Sequence, residues 1–216
     1  MIILYGAALS SYTAKVRVAL HWRGIPYTEQ EPPGGYRSDA WSQRVPMGTI
    51  PAIEHDGFFL AESEAIIEYL EEAFTGQPLL TGSAQDRARM RALARLHDLH
   101  VEPRVRALFP LIRQSEKRDL LPQLLAALDD RLQRLARAAV CGPYLAGERP
   151  SVADCGFAVT LPLARCLLQA LGHTLDLPGK LKAWEHTMAN DSSVQAALLP
   201  WNAATEAWLS NFAQSS

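Results

Sequence analysis

Up to residue 75 the chain alternates between two hydrophobic periods, and beyond residue 85 it keeps only one. Ile2-Ile3-Leu4-Tyr5 is a short β-rich run that stops at Gly6. Val16, Ala19 and Leu20 then recur at helical spacing, which predicts a helix over about Tyr12–Arg23 with Gly24 as its left-handed stop. Ile25-Pro26-Tyr27-Thr28-Glu29-Gln30 reads as a second strand, at a sheet edge because of its proline. The segment from Glu31 to Gly48, rich in Pro, Gly and Ser, leaves room for a short helix near Asp39–Arg44. Asp56-Gly57 separates two apolar runs, Ala52–His55 and Phe58–Ala61, and predicts a tight hairpin. Ser63 caps a further helix to about Phe74, with Ile66, Ile67 and Leu70 facing a core. This order allows a small mixed sheet flanked by helices.

The stretch TGQPLLTGSAQD, broken by Gly76, Pro78 and Gly82, reads as a linker. Everything after it follows the helical period. Leu121, Leu124, Leu125, Leu128, Leu132 and Leu135 form one long stripe, and further helices are expected over Ser151–Leu171, Gly179–Asn190 and Trp201–Phe212. Pro103 and Pro110 must break or kink the first long helix. Two domains follow from this: an α/β domain over residues 1–76 and an all-helical one over 85–216.

Composition narrows the function. The 216 residues are 48% hydrophobic and 20% charged, as in ordinary globular proteins. Residues 1–75 hold five Lys/Arg against ten Asp/Glu, while the remainder holds sixteen against thirteen; neither bias points to nucleic acid. No apolar run approaches the roughly 20 residues of a membrane span, so no membrane partner is expected. The start lacks a basic leader, which favours a cytoplasmic location. Cys141, Cys155 and Cys166 form no CxxC pair and are read as structural thiols among helical neighbours.

Three places look chemical. Ser10 and Ser11 sit where a strand hands over to a helix, and either can cap that helix. Pro51, at the head of a strand, cannot join the ladder; a cis bond there exposes backbone groups that a regular strand would consume. Glu62-Ser63 opens a helix whose N-terminus favours an anion. A fourth motif, Ser151-Val152-Ala153-Asp154, is a capping box with Asp in place of the usual Glu or Gln; its role is folding.

In their order, LYGAALSSYTAKVRVAL, PMGTIPAI, the Asp-Gly hairpin, Glu62-Ser63 and GERPSVADCGFAV resemble the soluble glutathione transferases over nearly the whole chain. The likeness is to the serine-type members (the zeta, phi, theta and tau classes), and it implies a thioredoxin-like domain followed by a helical one. It places the thiol-activating position on Ser10, with Ser11 the neighbouring alternative; Tyr12 stands where zeta-class members have cysteine. It also implies that Ile50, before cis-Pro51, offers its backbone to the cysteinyl part of glutathione. Glu62 would take the γ-glutamyl ammonium, and Ser63 its carboxylate. Thr49 stands where the family often has Lys or Gln, so Gln43 or Arg44 would assist with the glycyl carboxylate.

Glutathione is then a co-substrate, and no metal is required. His97 and His100, with Asp98 and Glu102 nearby, lack the further ligand a metal cluster needs and are read as surface or cleft histidines. The resemblance implies that His97, His100, Val101 and Arg104, together with Leu9 and Tyr12, shape a pocket for a small hydrophobic electrophile between the domains. Asp98 falls where some relatives reach across a dimer to the γ-glutamyl amine. The implied activity is transfer of the glutathione thiolate to that electrophile. A glutathione-dependent isomerase of maleylacetoacetate type, a dehalogenase and a non-catalytic glutathione-binding homologue remain as alternatives. A homodimer is expected, in which the acidic helix with Glu62, Glu64, Glu68, Glu71 and Glu72 faces Arg87, Arg91 and Arg95 of the partner.

Overall fold

The computed structural model describes residues 1–213. The last three residues of the helical 85–216 assignment therefore lie outside the described residues. The chain divides into two compact units, Met1–Leu79 with Ser192–Thr205, and Leu80–Asp191 with the residues from Glu206 on.

The first unit is built on a four-stranded sheet in the order β2-β1-β3-β4. Strand β1 (Ile2–Tyr5) runs parallel to β2 (Tyr27–Gln30) and antiparallel to β3 (Ala52–His55). Strand β4 (Phe58–Ala61) returns antiparallel through the Asp56-Gly57 turn, where both residues adopt positive φ as a tight hairpin requires. Strand β2 begins at Tyr27 rather than Ile25, because Pro26 brings no amide to the ladder. Pleating sends Ile3 and Tyr5 to one face, where Trp41, Val45 and Ala52 complete a cluster, and Ile2 and Leu4 to the other.

Helix α1 (Ser11–Arg23) follows β1 and ends at Gly24, whose φ of 65° is the left-handed stop. Helix α2 (Asp39–Arg44) carries Trp41 into the sheet cluster. Helix α3 (Ser63–Ala73) packs against α1. The two are cross-braced by buried ion pairs, Lys15 with Glu64 and Arg23 with Glu71. Both pairs run in the same sense along their helices, so α1 and α3 are parallel and their N-termini share one end.

The second unit is helical: α4 (Ala84–Leu96), α5 (Glu102–Arg106), α6 (Phe109–Arg113), α7 (Leu121–Ala138), α8 (Val152–Ala170) and α9 (Gly179–Asn190). The expected breaks appear, with Pro103 and Pro110 in the first turns of α5 and α6. Between α4 and α5 the backbone forms a π-helical turn, His97–Val101. The last helix, α10 (Ser192–Ala213), starts nine residues before the expected Trp201, because it continues through Pro200. Helix α8 is long and apolar enough to cross a membrane by composition, contrary to the sequence reading, but most of it is buried inside the protein as a core helix. Its N-terminus is the expected capping box, Ser151 with Asp154. Cys141 departs from expectation too: it lies in a loop after α7, at a φ of 49°.

Candidate functional site

The register of the first unit decides which chemical residues meet. Tyr5 pairs with Ala52, and Ala52 with Ala61. The residues next to these three along the chain therefore emerge at one end of three adjacent strands. They are the loop Gly6–Ser10 after β1, Ile50-Pro51 before β3, and Glu62-Ser63 after β4. The N-termini of α1 and α3 belong to that same end.

The β1–α1 loop is tightly held. A Cβ on Gly6 would lie 2.2 Å from Thr13 Cγ2, so only glycine lets α1 approach the strand end this closely. Arg17, buried in α1, donates to the Ala7 carbonyl at 3.3 Å and to both carboxylate oxygens of Glu29 on β2 at 2.6 Å. Ser10 is the N-cap of α1, and its Oγ accepts from the Thr13 amide at 3.1 Å. Capping occupies a lone pair and leaves the hydroxyl proton available to donate. Ser10 is half-buried, whereas Ser11 is 5% exposed as the first helical residue. Tyr5, the other hydroxyl at this strand end, donates to Glu54 at 3.2 Å.

The Ile50-Pro51 peptide is cis, and the β3 ladder begins only at Ala52. The approach to it is fixed by the fully buried Trp41, whose indole N–H donates to the Thr49 carbonyl at 2.8 Å. Gln43 is exposed on α2. Arg44 is already committed: it donates to Glu54 at 2.8 Å and lies 4.2 Å above the Phe59 ring. Its suggested help with a ligand carboxylate would have to displace these contacts.

At α3 the cap position is Glu62 rather than Ser63, and its side chain makes no capping bond. Glu62 is exposed and held at φ 75°, in the left-handed region that non-glycine residues occupy at a cost of about 1–3 kcal/mol. Ser63 is the first helical residue, 7% exposed. The start of α3 thus presents first-turn amides with no capping side chain from residue 62, in the arrangement that favours an anion.

The suggested electrophile residues divide between the units. Leu9, exposed, and Tyr12, half-buried, belong to the first; His97, His100, Val101 and Arg104 belong to the second. His97 is not the surface or cleft histidine expected from sequence. It is 2% exposed, with Nδ1 2.7 Å from Asp98 Oδ1 and Nε2 2.7 Å from Thr160 Oγ1, and Thr160 donates onward to Glu102 at 2.8 Å. A Cβ on Gly156 would strike the His97 ring at 2.5 Å, so α8 leaves room for this imidazole only because it carries glycine there. Asp98 is engaged by His97, and Val101 is buried. His100 is exposed and Arg104 half-buried. The acidic face of α3 is also smaller than expected, since Glu64 and Glu71 point inward to Lys15 and Arg23.

Sequence reasoning passed over Arg17, Trp41, Lys15 and Glu64. Their need for one another shows only in the fold: eleven of the thirteen residues of α1 are buried, so its Lys15, Arg17 and Arg23 each need an acid from elsewhere in the chain. As for the cysteines, burial pushes the Cys141 and Cys166 thiols up, away from thiolate character.

Comparison with known proteins places the fold in a family. Residues 4–78 match the family model described as the glutathione S-transferase N-terminal domain. A glutathione S-transferase of Pseudomonas putida is 30% identical over 177 residues, spanning 77% of this chain and 76% of the relative. A maleylacetoacetate isomerase of Rhizobium meliloti is 31% identical over 163 residues, 70% of this chain and 76% of the relative. The crystal structure of a Methylobacterium extorquens maleylacetoacetate isomerase with bound malonate and GSH is 26% identical. It superposes with a TM-score of 0.73 over 92% of this chain and 96% of that one. A small mixed sheet with helices followed by a helical unit is the architecture of this family, and the chain belongs to the glutathione S-transferase family.

Proposed function

We propose that Ser10 activates the thiol of glutathione, bound across the end of β1, β3 and β4, for attack on a small hydrophobic electrophile. The observation that carries this reading is the convergence of two parallel helix N-termini on that end. Both favour anions, and glutathione brings two there, the thiolate and the γ-glutamyl carboxylate. Ile50 offers its backbone to the cysteinyl part beside cis-Pro51. Glu62 meets the γ-glutamyl ammonium, and Ser63 with the α3 amides meets its carboxylate. Thr49 and Gln43 flank the glycyl end.

The energies suffice. A thiol of pKa about 8.5 must fall by about two units to ionise at neutral pH, which is about 2.7 kcal/mol. A hydroxyl donating to a thiolate contributes about 1.5–3 kcal/mol, and the α1 N-terminus about 0.3–2 kcal/mol more. Serine keeps its proton and acts as a donor. The first unit contains no cysteine, so the reacting sulfur is the ligand's own. Leu9 and Tyr12 of the first unit are the residues proposed to contact the electrophile. Calorimetric titration tests the binding half of this reading. Glutathione should bind the wild type, and Ser63→Ala or Glu62→Gln should each raise Kd about ten-fold or more, the loss of one charge-assisted bond. No heat at millimolar glutathione would sink it.

A second reading, glutathione-dependent isomerisation, is favoured by relatives named maleylacetoacetate isomerase. Turnover of maleylacetoacetate against aryl halides and peroxides separates the two. A cytoplasmic role in detoxification belongs to the first reading; three free cysteines suit a reducing compartment.

Assembly as a homodimer is part of the proposal. Glu64 and Glu71 are turned inward, and Glu62 and Glu72 are proposed to face the partner's Arg87, Arg91 and Arg95 across a two-fold axis. Exposed pairs contribute about 0–1 kcal/mol each, so the charge match adds only modestly. Sedimentation equilibrium should show a dimer whose Kd rises with salt and in Arg91→Glu. A monomer at micromolar concentration would refute the assembly, and a dimer indifferent to salt would refute its electrostatic part.

A further inference from the structure

We infer that the buried Lys15–Glu64 pair is a spacer that sets the distance between the thiol-activating end of α1 and the γ-glutamyl-binding end of α3. Both are positioning residues for the proposed reaction. The inference rests on the reading of the site given above and goes beyond it, since neither side chain is proposed to touch glutathione.

The geometry is specific. Lys15 Nζ lies 2.5 Å from Glu64 Oε2, with the two side chains 1% and 7% exposed. Lys15 stands four residues after Ser11, one turn down the same face of α1. Glu64 directly follows Ser63 in the first turn of α3. This contact therefore joins the first turns of the two helices whose N-termini are proposed to hold the two anionic ends of one ligand.

Stability does not explain the pair. Removing two charges from water costs about as much as their attraction returns, and well-packed apolar residues of similar volume serve a core as well or better. Lys15 also lies in the N-terminal half of its helix, where a cation opposes the helix dipole. What an ion pair supplies that apolar packing does not is a fixed reach, because the buried Glu64 carboxylate must meet Lys15 at hydrogen-bond distance or lose that bond.

The opposite ends of the same helices are fastened differently. There Arg23 meets Glu71 and also donates to the Phe74 carbonyl at 2.5 Å and the Gln77 carbonyl at 3.3 Å. Glu71 accepts from the Leu79 amide at 3.0 Å. That end ties the helices to the closing loop of the unit, while the Lys15–Glu64 end fixes one helix start against the other. Glutathione spans the two starts, so a change in their separation of about one ångström misplaces the sulfur relative to Ser10 while the γ-glutamyl group stays bound.

Changing the reach of the pair tests this. Glu64→Asp shortens it by one methylene, and Lys15→Arg in the same chain restores length. The readout is ultraviolet titration of the thiolate at saturating glutathione, where every molecule counted is folded and liganded, together with kcat and KM. Glu64→Asp should raise the thiolate pKa by about half a unit and lower kcat about ten-fold, with a smaller change in KM. Lys15→Arg/Glu64→Asp should recover most of both. Should Glu64→Asp fail to fold, the apolar pair Lys15→Met/Glu64→Leu removes the fixed reach while filling the space, and it should show the same rise in pKa. A folded Glu64→Asp or apolar-pair protein with the wild-type thiolate pKa and kcat would overturn the inference and leave the pair a structural fastener. A wild type that binds glutathione without lowering its thiol pKa would instead overturn the reading of Ser10, and the spacer role with it.

Discussion

Replacing Asp154 with alanine should cost the protein about 4 kcal/mol or more in urea denaturation. Asp154 is fully buried, and four donors converge on its carboxylate. These are the Leu145 amide at 2.8 Å, the Ser151 amide at 2.9 Å, the Ser151 hydroxyl at 2.8 Å and the Trp184 indole at 2.8 Å. Burial pushes this carboxyl up, and the donors pull against that shift. Alanine removes the acceptor and leaves two amides and an indole N–H buried without a partner, at about 1–3 kcal/mol each. A domain stable by about 5–15 kcal/mol has little margin for such a loss. Ser151→Ala removes only one end of the capping box and should cost about 0.5–2 kcal/mol. An Asp154→Ala protein within 1 kcal/mol of wild type would show that water reaches these donors and that the network is not the keystone of α8.

The second large effect concerns ionisation of the bound thiol. In the binary complex with glutathione, Ser10→Ala should raise the thiolate pKa by about one to two units, the equivalent of one charge-assisted hydrogen bond. It should also remove the cap of α1, so part of its cost appears as lower thermal stability. The two losses are separable, because the titration is read on folded, saturated protein. Ser11→Ala should leave the thiolate near its wild-type value, since Ser11 is 5% exposed and turned into the unit. The reverse pattern, with Ser11→Ala raising the pKa and Ser10→Ala silent, would move the activating role to the neighbour.

Local signals in the sequence were read well where the physics is local. Gly24, Asp56-Gly57 and Ser151 each act within one turn, and the helix stop, hairpin and cap they imply are all present. The helix start was expected with Ser63 as its cap, but the cap position falls on Glu62. Which residue leaves the helical φ/ψ region depends on how β4 delivers the chain, and one residue of offset is invisible to pattern. The helix expected from Trp201 begins at Ser192 instead and passes through Pro200, because packing outweighs the bond a single proline removes. The face of α3 was misjudged for a related reason. Nothing near Glu64 or Glu71 in sequence shows that Lys15 and Arg23, about fifty residues away, lie against them. The site was legible as three separate motifs. The scaffold that aligns them, from Arg17 to Trp41 to the Lys15–Glu64 pair, was not, because each of its contacts joins residues that only the folded register brings together.

The inclusion of Ser192–Thr205 in the first unit has a consequence for biosynthesis. Residues 1–79 leave the ribosome long before the stretch that completes their unit, with on the order of a hundred residues still to be translated between them. At about 5–20 residues per second this interval lasts roughly 6–25 s. The four-stranded part of the unit waits through it without the segment grouped with it. The proposed thiol site therefore belongs to a unit that is complete only when translation is nearly finished.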